Sequence, residues 1–306
     1  MMRALGLLCL LLLPLPALAA APGAAVAWWI WPLALFVACF LMGIVSVPAG
    51  IGGGTLFVPI VGGFFPFHLD FVRGAGLLVA LASALAAGPM LLRGGLASLR
   101  LALPLALLAS ISSIFGALIG LALPVAAVQT ALGLIVLGIA ALLSTAKHSE
   151  FPVVAAPDRL ASALELHGVF VDGATQHSID WRVHRTPGGL LAFAAIGVLA
   201  GVFGIGAGWA NVPALNLLMG APMKVAAGTS GLVLSLVDSA AAWVYINQGA
   251  VLPMVAVPSV IGMMLGARLG ARLLHVLKGE AVRRLVIALL VFAGVRALGK
   301  GTGLWA

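Results

Sequence analysis

Long apolar runs with almost no charge are the feature that most restricts what this chain can fold into. A helix needs about 20 apolar residues to cross a bilayer core, and only 8% of the residues are charged while 63% are hydrophobic. So little charge excludes a water-facing surface and therefore a soluble enzyme. A transmembrane barrel would alternate apolar and polar residues, which these continuous runs do not do. We expect spans at 26–48, 71–92, 99–123, 125–146, 189–203, 224–247, 250–275 and 281–299.

An internal repeat relates the two halves of the chain at an offset of 154 residues. It places Gly50 to Pro59 (GIGGGTLFVP) on Gly204 to Pro213 (GIGAGWANVP), with six of the ten positions identical. The same offset pairs Gly43 with Gly197, Gly74 with Gly228, Gly95 with Gly249, and Pro104 with Pro258. The sequence therefore predicts an all-α polytopic membrane protein of about eight transmembrane helices in two homologous four-helix repeats, 24–146 and 189–300. Each repeat contains a glycine-broken segment.

Two segments lie outside the predicted repeats. Residues 147–188 are polar, and the alternation around Ile179, Trp181 and Val183 has the period of a strand. We expect a small extramembrane β-hairpin that links the repeats. Its histidines (His167, His177 and His184) are read as solvated, in preference to a metal site. Residues 1–21 combine Arg3, a short apolar core and a small-residue end, which is typical of a signal peptide, with an uncleaved apolar helix as the alternative.

The net charge of +8 comes from single basic residues at the ends of apolar runs. This placement is typical of membrane flanks that meet anionic headgroups, so the bilayer is the expected partner and nucleic acid is not. Cys9 and Cys39 lie in apolar stretches without metal-ligand spacing, and neither a disulfide nor a zinc site is predicted.

The consecutive glycines suggest a binding site. Glycine lets the backbone leave helical angles and removes the Cβ atoms that would keep a ligand away. Peptide N–H groups that begin the next helix lack intrahelical partners and bind oxyanions. The predicted substrate-binding residues are Gly50, Gly52, Gly53 and Gly54 in the first motif and Gly204, Gly206 and Gly208 in the second, with Asn211, Thr229 and Ser230 as neutral donors. The alternative is that the small residues only allow close helix packing.

Asp238 is an acid near the middle of a predicted span, where a charge is costly. It is either a proton-coupling residue or a hydrogen-bonded structural aspartate. Its repeat partner is Ala84, so such a role would belong to one repeat. Asp70 and Lys224 are also repeat partners, of opposite charge. We read them as independent interfacial charges, with an ion pair as the alternative.

At these motifs the chain resembles the sulfite exporter TauE/SafE family, also called the toluene sulfonate uptake permeases. The resemblance covers about residues 30–300. It rests on the paired glycine motifs, on Met219 to Ser230 (MGAPMKVAAGTS) and on Gly262 to Arg272 (GMMLGARLGAR). It implies a multi-pass protein of the bacterial inner membrane that transports sulfite, sulfonates or related anions. The departures from the family pattern are Ala207 and Trp209, which make different roles for the two motifs plausible.

These observations favour a secondary transporter, an exporter or permease, for a small organic or sulfur oxyanion, with proton coupling as a further hypothesis. No enzymatic activity and no cofactor is expected, and self-association stays open. A passive anion channel is one alternative. An intramembrane serine protease is the other, because Gly228 to Gly231 (GTSG) matches a serine motif, but its histidine would have to be His275 at a helix end.

Overall fold

Helices make up 80% of the residues that the structure describes, because a backbone surrounded by lipid must satisfy its own hydrogen bonds. The computed structural model describes residues 27–46, 51–93, 97–145, 152, 154, 156–171, 178–206, 208–273 and 279–304. The predicted signal peptide, residues 1–21, lies outside this range. The helices are α1 (Ile30–Ser46), α2 (Gly53–Phe64), α3 (Leu69–Arg93), α4 (Leu99–Ala122), α5 (Val125–Thr145), α6 (Arg159–Ala163), α7 (Thr186–Phe203), α8 (Gly208–Pro213), α9 (Met223–Asn247), α10 (Pro253–Leu273) and α11 (Gly279–Gly301).

Six helices in the described part of the chain are long and apolar enough to cross a membrane: α3, α4, α5, α7, α9 and α10. Each coincides with a predicted span. The first predicted span corresponds to α1, which is a shorter apolar helix of 17 residues, or about 26 Å. The last corresponds to α11, which carries Arg284, Arg296 and Lys300 and falls outside the group of six. A multi-pass helical membrane protein is therefore confirmed, with six candidate spans where eight were expected.

The helix bounds recur at the offset found in the sequence. Adding 154 to the bounds of α3 gives those of α9, and adding it to the bounds of α5 gives 279–299, within α11. The segment equivalent to α2 is α8 together with a π-helical turn at Ala214–Leu218. The regular helix α2 that begins in the first motif thus corresponds, in the second motif, to the short helix α8 and a π-helical turn.

The helices pack in pairs that take one member from each half of the chain. α1 lies along α10, α4 along α7, and α5 along α11. Glycines allow two of these pairs to approach closely: a Cβ atom on Gly43 would lie 2.7 Å from the Ala267 nitrogen, and one on Gly120 would lie 2.7 Å from the Val202 oxygen. Close packing through glycine, which was the alternative reading of the two glycine motifs, thus also occurs at positions outside them.

The predicted hairpin is present. Strands β1 (His167–Val171) and β2 (Ser178–Arg182) pair antiparallel, with His167 opposite Arg182. It is not wholly exposed to solvent, because Trp181 and Val183 are buried in the same apolar cluster as Phe193 and Met219. The linker is therefore anchored on the helical body.

Asp158 connects the start of α6 to the start of α7. Its carboxylate accepts the Ala161 N–H at 2.6 Å, which caps α6, and the Thr186 N–H at 2.5 Å, at the start of α7. Burial alone would raise the pKa of Asp158, but these backbone hydrogen bonds outweigh it and hold the pKa below its usual value of 3.8.

Candidate functional site where two glycine breaks meet

The second glycine motif interrupts the chain between α7 and α8. Gly204 ends α7 with φ of 65°, and its N–H donates to the Ala200 oxygen at 2.9 Å. Gly206 has φ of 66°. Both values lie in the left-handed region that side chains disfavour, so the break requires glycine at these two positions. The predicted departure from helical angles is confirmed there, and Ala207 lies outside the described residues.

The first motif is built differently. Gly52 has φ of −62° and ψ of 146°, an extended conformation open to any residue, and α2 begins at Gly53. The Gly53 N–H donates to the Ser83 hydroxyl at 3.2 Å, so one of the N–H groups expected to face a ligand already has a protein partner. Gly50 lies outside the described part of the chain. Identical glycines at equivalent positions therefore form two breaks of different geometry.

The structure brings the two motifs into contact. A Cβ atom on Gly208 would lie 2.7 Å from the Gly52 nitrogen, and one on Gly54 would lie 2.9 Å from the Ile205 oxygen. The Thr55 hydroxyl donates to that same Ile205 oxygen at 3.2 Å. Two segments 154 residues apart thus form one junction of closely packed backbone.

Asp238 borders this junction. It is 0% exposed on α9, and a Cβ atom on Gly206 would lie 3.4 Å from its Oδ2 atom. Within the described part of the chain, neither carboxylate oxygen has a hydrogen-bond partner. A buried carboxylate in this state needs a proton, a cation or a ligand donor to offset its desolvation. Among the described residues, none donates the hydrogen bond that a structural aspartate would accept.

Asn211 is the second unpartnered polar side chain among the predicted residues. It is 0% exposed, and its amide nitrogen and oxygen lack partners among the described residues. Its repeat-equivalent position is Phe57, which is also buried. At this repeat position, the second motif therefore has a polar side chain where the first has an apolar one.

Other polar residues of this region already have local partners. Thr229 accepts the Ser98 N–H at 3.2 Å, and Asn216 donates to the Ala221 oxygen at 2.9 Å. Ser235 and Ser239 donate to carbonyls of their own helix. Ser230 is buried at 3% exposure. Of the predicted neutral donors, Asn211 is the one with unused capacity on both polar atoms.

Arg73 lies near the start of the predicted span 71–92, and the structure buries it at 1% exposure. Its guanidinium donates to the Gly120 oxygen at 2.9 Å, to the Val202 oxygen at 2.8 Å, and to the Asp70 carboxylate. Asp70 therefore has an ion-pair partner on its own helix, three residues away. The i, i+3 spacing of Asp70 and Arg73 was the signal that could have shown this pair.

Metal chemistry gains no support from the histidines of the linker. His177 lies outside the described residues, and those residues contain no group of three His, Cys, Asp or Glu side chains that could hold a metal ion. His275, which a serine protease would need, is also outside them.

Comparison with known proteins identifies one family. Residues 35–297 match the family described as Sulfite exporter TauE/SafE. No curated protein and no solved structure matches the chain significantly. Since the matched range covers nearly the whole chain and both glycine breaks, the chain belongs to the TauE/SafE sulfite exporter family.

Proposed function

We propose that this protein is a secondary transporter of the bacterial inner membrane, an exporter or permease that moves a small anion such as sulfite, a sulfonate or a related oxyanion. The family membership supports a membrane transporter or exporter. The observation that carries the proposal is the junction of the two glycine breaks beside the unpartnered Asp238 carboxylate. Broken helices at equivalent positions of a duplicated chain are characteristic of transporter binding sites.

Eight crossings in two homologous four-helix repeats are part of this proposal. α1 and α11 complete the set, because each is the repeat partner of a helix long enough to span, α7 and α5 respectively. Each also packs along a candidate span, α1 on α10 and α11 on α5. Residues 147–188 then form the linker between the repeats 24–146 and 189–300.

The anion would bind at the junction of the two glycine motifs. Its glycines there are Gly52, Gly53, Gly54, Gly204, Gly206 and Gly208, and Gly50 belongs to the same set by its place in the first motif. Asn211 supplies the neutral amide donor with free capacity, and Thr229 and Ser230 lie on the neighbouring helix. Neutral donors suit a membrane site, since they avoid a second buried charge. Because the Gly53 N–H already binds Ser83, we assign the larger share of binding to the second motif.

Asp238 couples anion movement to a proton in this proposal. An anion about 5 Å from an ionised carboxylate would be repelled by roughly 3 kcal/mol at an effective dielectric constant of 20. Anion binding therefore favours the protonated acid, and anion release favours deprotonation. The two ligands would then move in the same direction.

Transport by the purified protein in proteoliposomes tests the proposal. Uptake and efflux of sulfite, thiosulfate, an aryl sulfonate and acetate are compared with and without a pH gradient. Gly63→Ala is the matched control for alanine substitutions at Gly52 and Gly206. Gly63 lies outside the motifs, and its added Cβ atom would contact the Arg296 side chain at an ordinary 3.5 Å. Absence of transport for every anion would contradict the proposal.

A passive anion channel is the second candidate, and counterflow distinguishes it. A transporter accumulates labelled sulfite against an excess of unlabelled sulfite, whereas a channel equilibrates it. An intramembrane protease is not favoured by the family membership.

A further inference from the structure

Arg73 is the largest of the fully buried side chains, and the proposed anion site does not use it. It lies in the first turns of α3, and its two bonded carbonyls belong to helices distant in sequence. Gly120 is near the carboxyl end of α4, and Val202 is next to the last residue of α7. A cation at this place meets the negative ends of two helix dipoles as well as the Asp70 carboxylate.

Tyr245 reinforces the same helix end. Its hydroxyl donates to the Gly201 oxygen at 3.0 Å, and the Arg73 guanidinium lies 5.7 Å from the centre of its ring. Carbonyls in the last turn of a helix lack intrahelical partners. In α7, the Val202 carbonyl accepts from Arg73 of α3 and the Gly201 carbonyl accepts from Tyr245 of α9, so side chains of two other helices fix the end of α7.

The carboxyl end of α7 is followed directly by the second glycine break. A Cβ atom on Gly204 would overlap the Arg73 carbonyl oxygen, so the backbone of the break rests on the backbone of Arg73. Two residues later, Gly206 faces Asp238. Movement of the end of α7 would therefore also move Gly204 and Gly206, which form one side of the junction.

This arrangement has no counterpart at the repeat-equivalent position. The repeat partner of Arg73 is Ala227, which has no polar side chain. Gly204 and Gly206 have positive φ values, whereas Gly52 does not. The difference between the two breaks thus coincides with the presence of the arginine at one of them.

We propose that Arg73 is a positioning residue for transport: it fixes the end of α7 and, through Gly204, the geometry of the second glycine break. The inference rests on the proposed function for its transport readout. Its structural readout is independent of what the protein transports.

Hydrogen exchange of the full-length protein in detergent gives the structural readout. Arg73→Gln removes the charge and one donor arm, so the amides of residues 200–206 should exchange faster by about tenfold or more. Arg73→Lys keeps the charge, and we expect it to recover part of this protection. Arg100→Gln is the control, because Arg100 forms an exposed ion pair with Glu165 away from the breaks.

Sulfite transport kinetics give the second readout. Arg73→Gln should raise the apparent KM for sulfite about fivefold or more while the maximal rate changes less than about twofold. The reason is that displacement of the second glycine break weakens substrate binding more than it slows the transport step. Tyr245→Phe removes only the hydroxyl and should shift both readouts in the same direction by less. Tyr245→Phe also tests the proposal by itself if the Arg73→Gln protein does not fold.

Two results would overturn the proposal. One is unchanged exchange at 200–206 in folded Arg73→Gln and Tyr245→Phe proteins. The other is an equal increase across all helices, which would mean general loosening. If the wild-type protein does not transport sulfite but exchange at 200–206 still responds, the proposed substrate is wrong and the positioning role stands.

Discussion

Alanine at the repeat-equivalent positions Gly206 and Gly52 should have opposite effects on stability. At Gly206, φ of 66° imposes a left-handed conformation that costs an L-residue about 1–2 kcal/mol. The added Cβ would also lie 3.0 Å from that of Ala80, which must shift. At Gly52 the backbone is extended, and the nearest atom, in Leu234, is 3.7 Å away. Alanine there restricts the unfolded chain and should stabilise the protein by about 0.4–1 kcal/mol, as at any glycine with a compatible backbone and free space.

The assay is unfolding in mixed SDS and maltoside micelles followed by tryptophan fluorescence, with sulfite transport measured on the same preparations. We expect Gly206→Ala to be less stable than Gly52→Ala by roughly 2 kcal/mol. Both variants should transport less, because each adds a methyl group to the junction. A Gly206→Ala protein as stable as the wild type would refute the argument from backbone conformation. Normal transport by stable Gly52→Ala would remove Gly52 from the anion site.

Three further outcomes are expected. Asp238→Asn should keep sulfite binding in equilibrium dialysis while transport loses its dependence on the pH gradient; a retained dependence would exclude Asp238 as the coupling group. Asp158→Ala should lower the free energy of unfolding by about 1–2 kcal/mol above pH 5, and this difference should shrink as the pH falls below 3.8, because the lowered pKa makes the contribution one of the ionised form. Gly201→Ala should separate α4 from α7 and lower thermal stability, since its Cβ would overlap the Ser113 oxygen, whereas Gly138→Ala, which has open space within α5, should keep or slightly raise thermal stability.

The repeat in the sequence was the strongest predictor of the fold. It anticipated the recurrence of helix bounds, because duplicated sequences keep the same apolar periods and the same breaks. The hairpin was also predicted, since alternation around Trp181 is visible locally. The pairing of helices between the halves was not predicted: apolar periodicity shows which residues avoid water but does not name the partner helix.

Within the site, residue type and order predicted the position of each break but not its geometry. Gly52 and Gly206 are the same residue in the same motif, yet they differ in φ because their surroundings differ. The burial of Arg73, a charged residue near the start of a predicted span, was not predicted. Its two carbonyl partners are 47 and 129 residues away, a separation that local patterns do not encode.

The pairing of α1 with α10 also bears on how the chain is made. About 200 residues separate the end of α1 from the start of α10. At roughly 5–20 residues per second, a ribosome needs about 10–40 s to synthesise that length. During this interval the glycine face of α1 has no native partner in the membrane. The packing of the first half of the chain is therefore complete only when the second half has been inserted.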